Sequence, residues 1–143
     1  MILLDTSGLL SAIDSSQRHH AACAAALRDA SGPLLLSPFV LAELDYLLAR
    51  HAGAPAQSAL LGEVARGAYR LEPFGAADIE SAKEIVARYR DLRIGLADAS
   101  IVVLAERHRA RDVLTLDERH FRALRIGQRQ RFRLLPADRP ARS

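Results

Sequence analysis

Short apolar runs alternate along this chain with longer stretches of helical period, and that alternation is the first guide to its fold. The opening residues MILLD read as a short buried strand, and a helix follows from about Ser7 to Ile13. His19 to Ala30 is alanine-rich and helical, and the punctuation of Ser31, Gly32 and Pro33 ends it. Leu34 to Ser37 reads as a second strand. Pro38 then suits the first turn of a helix that runs to about Ala52. Gly53 closes that helix, Pro55 opens another that ends near Gly67, and Tyr69 to Leu71 reads as a third strand. The next helix spans Ala76 to Tyr89. Asp78, Glu80 and Glu84 lie toward its start and Arg88 and Arg90 at its end, the order the helix dipole favours. Leu96 to Arg107 is a strongly apolar helix, Asp112 to Asp117 contains a fourth strand, and Phe132 to Leu135 forms a short fifth.

Strands written as unbroken apolar runs and separated by helices predict an α/β layer fold with a mostly parallel sheet. In open sheets of that kind ligands collect beyond the carboxyl ends of the strands. No repeat, low-complexity linker or shift of composition divides the chain, so residues 1–143 read as one domain.

Composition narrows the function classes. Half the residues are hydrophobic and 26% are charged, the balance of a globular protein. No stretch reaches the roughly 18 apolar residues of a membrane span, and the first residues meet an acid at Asp5 instead of forming a basic leader. Cys23 is the sole cysteine, which excludes an internal disulfide and points to a cytoplasmic setting. The net charge is +3, and Lys83 is the only lysine. Arginine suits bidentate phosphate contacts, but codons rich in G and C favour the same residue. The arginines of Gly127 to Arg133 read either as phosphate-facing or as a solvated surface.

Four acids stand where the pattern wants hydrophobes. Asp5 ends the first strand, directly after Ile2, Leu3 and Leu4. Glu43 lies in SPFVLAELDYLL, with Phe39 and Val40 one helical turn before it and Tyr46 and Leu47 one turn after, the middle of an apolar stripe. Asp98 has Ile101 and Val102 one turn on, and reads either as part of a site or as an N-cap just after Gly95. Asp117 closes the strand Val113 to Leu116 as Asp5 closes the first, and its other reading is a cap for the turn Glu118 to Phe121. The topology can bring all four to one sheet edge. Clustered, partly desolvated carboxylates repel one another unless a cation or shared protons compensate. With no His or Cys expected beside them, the ion should be hard, Mg²⁺ with Mn²⁺ as the alternative. That is the chemistry of metal-assisted phosphodiester cleavage. Thr6, Ser7 and Thr115 adjoin these acids and could orient ligands or waters.

The ordered set DTSGLL, SPFVLAEL, LADASIVVLAER and LTLDERHF resembles the PIN-domain ribonucleases, and among them the VapC toxins of type II toxin–antitoxin pairs. The likeness runs from Met1 to about Phe121. It implies a three-layer α/β/α sandwich around a mostly parallel sheet of about five strands. It also implies that Asp5, Glu43, Asp98 and Asp117 are the acidic quartet, with Asp5 and Asp98 as the main Mg²⁺ ligands. The implied reaction is hydrolysis of RNA by metal-activated water, leaving a 3′-hydroxyl and a 5′-phosphate. The implied partners are a small VapB-type antitoxin that blocks the acidic groove and a second copy in a homodimer.

Other polar residues read as structural. His19 and His20 start a helix without acids at ligand spacing, His51 and His108 lack any partner pattern, and His120 reads as packing on or hydrogen-bonding to its own turn, although phosphate contact is open to it. Asp45 is rotated away from Glu43 around the helix, Asp14 and Asp112 mark element ends, and Arg93 suits an ion pair or a phosphate equally. A phosphatase of the haloacid-dehalogenase type also begins with an Asp at a strand end, but wants a second acid where this chain has Ser7. A catalytically silent protein that binds RNA or a partner is the remaining alternative.

Overall fold

The computed structural model describes residues 1–140. Its centre is a five-stranded sheet made of β1 (Ile2–Leu4), β2 (Leu34–Leu36), β3 (Arg70–Leu71), β4 (Asp112–Leu114) and the late strand β7 (Arg133–Leu135). The order is β3-β2-β1-β4-β7 and every pairing is parallel. The all-parallel sheet matches the expected architecture, and its strands are two or three residues long. Ile2, Leu3, Leu4, Leu35, Leu36, Val113 and Leu114 are all buried, as strands covered on both faces require.

Helices flank the sheet: α1 (Thr6–Ile13), α2 (His20–Arg28), α3 (Pro38–Ala52), α4 (Ala54–Ala65), α5 (Ala76–Arg88), α6 (Leu96–His108) and α7 (Glu118–Ala123). Helix α6 is buried on nearly every side from Ala99 to Ala105, packed between β1 and the covering α5. At its other end Arg107 and His108 both reach the buried Glu72 that follows β3, and Arg107 also pairs with Asp78 at 3.0 Å. None of the described helices is long and apolar enough to cross a membrane.

Two contacts fix the elements that carry the acids. A Cβ on Gly8 would come within 2.4 Å of the Leu114 carbonyl oxygen, so only glycine lets α1 lie this close to the end of β4. Ser37 caps α3 by accepting from the Phe39 amide at 3.1 Å. Its hydroxyl also meets Ser100 of α6 at 2.6 Å, and Ser100 donates to the Ala97 carbonyl. The chain of bonds ties the first turn of α3 to the first turns of α6 through a fully buried junction.

The sequence reading misses one piece. Arg125–Ile126 and Gln130–Arg131 form an antiparallel hairpin, β5 and β6, turning at Gly127 with φ +65°. The arginine cluster is therefore ordered backbone, held where Glu106 accepts from the Gly127 amide at 3.0 Å. Its strands escape the pattern because Ile126 is the only buried residue among the four.

Candidate metal centre

Because all five strands run the same way, the loops after β1 and β4 open on one edge, and Asp5, Ser7, Thr115 and Asp117 meet there. Asp5 precedes α1 without capping it. Instead Oδ2 accepts from Thr115 Oγ1 at 2.6 Å and from Ser7 Oγ at 2.9 Å. Each hydroxyl has one proton and is aimed by a backbone amide on its lone pair: Leu116 N–H donates to Ser7 Oγ and Asp117 N–H to Thr115 Oγ1, both at 2.9 Å. The two hydroxyl protons are thereby left for Asp5. Thr6 lies beside them, buried, with Oγ1 lacking any hydrogen-bond partner.

Asp98 sits in the first turn of α6, three residues after the N-cap Gly95. It is therefore not the cap, and the alternative reading of that residue falls. Asp117 is a cap, since Oδ1 accepts from the His120 amide at 3.1 Å, and it faces the cleft as well. His120 corrects the sequence reading. Its ring meets Asp117 of its own turn, with Nδ1 2.8 Å from Asp117 Oδ2, but also reaches across to α6, 3.3 Å from Asp98 Oδ2. That nitrogen is buried and within ion-pair range of both, yet aligned with neither as a hydrogen bond. Ligand atoms of Asp98, Asp117 and His120 all lie within 4.8 Å of one another. The donor set is thus not oxygen-only. The i, i+3 spacing of Asp117 and His120 was the available signal.

Glu43 is a second correction. The buried stripe of α3 is Val40, Leu44 and Leu48, and Tyr46 is 60% exposed. The carboxylate is exposed and lines the mouth of the cleft instead of standing in the core. The cleft, of about 420 Å³, is bounded by all four acids of the expected quartet together with His120.

The electrostatics match a site built around positive charge. Burial, then the neighbouring Asp5 carboxylate, push Asp98 up to about 7, with His120 opposing and Asp117 and Glu43 adding to the rise. Burial also raises Asp5, against the lowering effect of its bonds from Thr115 and Ser7. Several carboxylates that oppose each other's ionisation, a buried hydroxyl without a partner and an imidazole nitrogen without an aligned bond fit a divalent cation. The residues set aside stay outside: Asp45 accepts from Gln57, Asp14 from Ser16, and His20 meets the Ser11 carbonyl. Arg93 is exposed in a left-handed conformation at φ 55° and does not line the cleft.

Comparison with known proteins bears on family and fold. The PIN domain family model matches residues 2–126. Ribonuclease VapC26 of Mycobacterium tuberculosis (strain ATCC 25618 / H37Rv) is 48% identical over 135 residues, 94% of this chain and 100% of that protein. The crystal structure of Mycobacterium tuberculosis VapC20, described as a Sarcin-Ricin loop cleaving toxin, matches with a TM-score of 0.77 at 21% identity. The match covers 82% of this chain and 90% of that one, and is a likeness of fold.

Proposed function

Because the chain belongs to the PIN domain family, and to its VapC ribonucleases, we propose that it is a metal-dependent endoribonuclease acting as the toxin of a type II toxin–antitoxin pair. The observation that carries the reading is the convergence of Asp5, Asp98, Asp117 and His120 on one cleft, from loops and helices far apart in sequence. A silent binding protein would gain nothing from holding these mutually repelling groups together.

Asp98 and Asp5 are the proposed principal ligands of Mg²⁺ or Mn²⁺, with Asp117 and His120 completing the set and Glu43 acting from the mouth. The imidazole makes Mn²⁺ a better fit than an all-oxygen site would. When bound, such a cation polarises a phosphoryl oxygen and lowers the pKa of an attacking water. The chain's own part is to hold the ligands still. Ser7 and Thr115 lock Asp5 through Oδ2. Asp98 would give up its proton as the site fills, and His120 Nδ1 sits 2.8 Å from Asp117 and 3.3 Å from Asp98, in reach of the same ion. A small VapB-type antitoxin is the proposed inhibitor and a homodimer the proposed assembly.

Incubating the purified protein with cellular RNA and Mg²⁺ or Mn²⁺ and sequencing the 5′ ends tests the proposal. Discrete new ends bearing 5′-phosphate are expected. Asp98→Asn and Asp5→Asn should abolish them, and wild-type cleavage by both variants would overturn the reading.

A further inference from the structure

Part of the cleft wall is apolar. Leu10 of α1, Leu47 of α3 and Leu96 of α6 line it together with the carboxylates. Leu96 is 40% exposed, on the first turn of a helix whose next turns are buried, so its side chain is open to the cleft. Beside it stands Gly95. Its backbone (φ −96°, ψ −175°) is extended and open to any residue, and a Cβ there would meet nothing within 4 Å. Neither backbone conformation nor packing requires a glycine at this position. It also gives α6 no side-chain cap, where Ser, Asp or Asn would. What the glycine does provide is free space against the apolar wall, next to the proposed ions' ligands.

We propose that this wall is a nucleobase subsite, in which one unstacked base of the RNA strand packs on Leu96, Leu47 and Leu10, with Gly95 leaving room for its ring. The inference rests on the ribonuclease reading and goes beyond it. A phosphate held at the carboxylates places its own nucleoside one ribose away, and the three leucines offer that nucleoside apolar surface within the same cleft. Leucine walls grip the flat face of any base and discriminate by size and fit, so the subsite selects RNA that can present an unpaired base, such as a loop or a strand end. The acids decide that a phosphodiester is cut, and the apolar wall decides which one can be seated.

The test is binding of AMP, GMP, CMP and UMP, each compared with ribose 5-phosphate, to the full-length protein in saturating Mn²⁺ by calorimetry. At least one nucleotide should bind about tenfold more tightly than ribose 5-phosphate, the scale of one base on a side-chain platform. In Leu96→Ser and in Gly95→Val that advantage should vanish, while Mn²⁺ affinity and ribose 5-phosphate affinity hold. Thermal melting confirms that both variants fold. Nucleotides that bind no better than ribose 5-phosphate, or an advantage that survives both substitutions, overturn the subsite and leave the leucines to a protein partner. Failure of Mn²⁺ to bind at all sinks the ribonuclease reading instead, so the two failures are distinct.

Discussion

Between about pH 4 and pH 7 the folded, metal-free protein keeps a proton on Asp98 that the unfolded chain, with its ordinary carboxylate pKa of 3.8, releases. The native state binds more protons in that window, so stability falls as pH rises through it and levels off above about 7. Thermal melts in EDTA should show this slope, and Asp98→Asn should flatten it. The same substitution should raise the melting temperature at pH 8, because a repelling charge is gone. Binding runs the other way. A cation must displace the proton, so Mn²⁺ affinity should climb with pH up to about 7, read by titration at fixed ionic strength. At Thr115 the hydroxyl donates to Asp5 from a site 1% exposed. Thr115→Val should keep the shape, lose the bond, and lower Mn²⁺ affinity about 10–100-fold. These residue roles were partly legible. Asp5, Asp98 and Asp117 betray themselves by standing in apolar runs, whereas the aim of His120 across to α6 exists only in three dimensions.

Helices α1, α3 and α6 hold the cleft, and each is positioned by a contact that sequence pattern does not encode. Gly8 lets α1 rest on the Leu114 carbonyl, so Gly8→Ala should cost about 2–3 kcal/mol, measured by denaturant unfolding, because backbone rather than a flexible side chain must yield. Loss of the Ser37 hydroxyl leaves Ser100 with only its bond to the Ala97 carbonyl and uncaps α3. Ser37→Ala should cost about 1–2 kcal/mol and loosen the cleft mouth where Glu43 sits. The helices themselves were readable to within two residues at most ends, since Pro38, Gly53 and the apolar run of α6 mark them in the chain. The face a helix presents was less so. In α3 the stripe of Val40, Leu44 and Leu48 follows a four-residue step that turns Glu43 outward, and the surrounding hydrophobic letters conceal it. The β5–β6 hairpin was illegible for a related reason: its arginines and glutamines alternate without an apolar face, and its order comes from Glu106 and the Gly127 turn.

Across the whole molecule, stability and function share one ligand. If the acids are held apart from their preferred ionisation until a cation arrives, Mn²⁺ should stabilise the fold. At a hundredfold excess over its dissociation constant the gain should be about 2.7 kcal/mol, visible as a rise in melting temperature that Asp5→Asn and Asp98→Asn lose. The sheet order has a consequence for how such a protein is made. Strand β1 leaves the ribosome first yet lies at the centre, and one of its two neighbours, β4, begins only at Asp112. Until that distant segment has been synthesised, Leu3 and Leu4 have no partner on that flank and Asp5 has neither Thr115 nor Asp117 beside it. A chain lacking β4 and α7 therefore has no assembled cleft, because Thr115, Asp117 and His120 come to Asp5 and Asp98 only when those late elements dock.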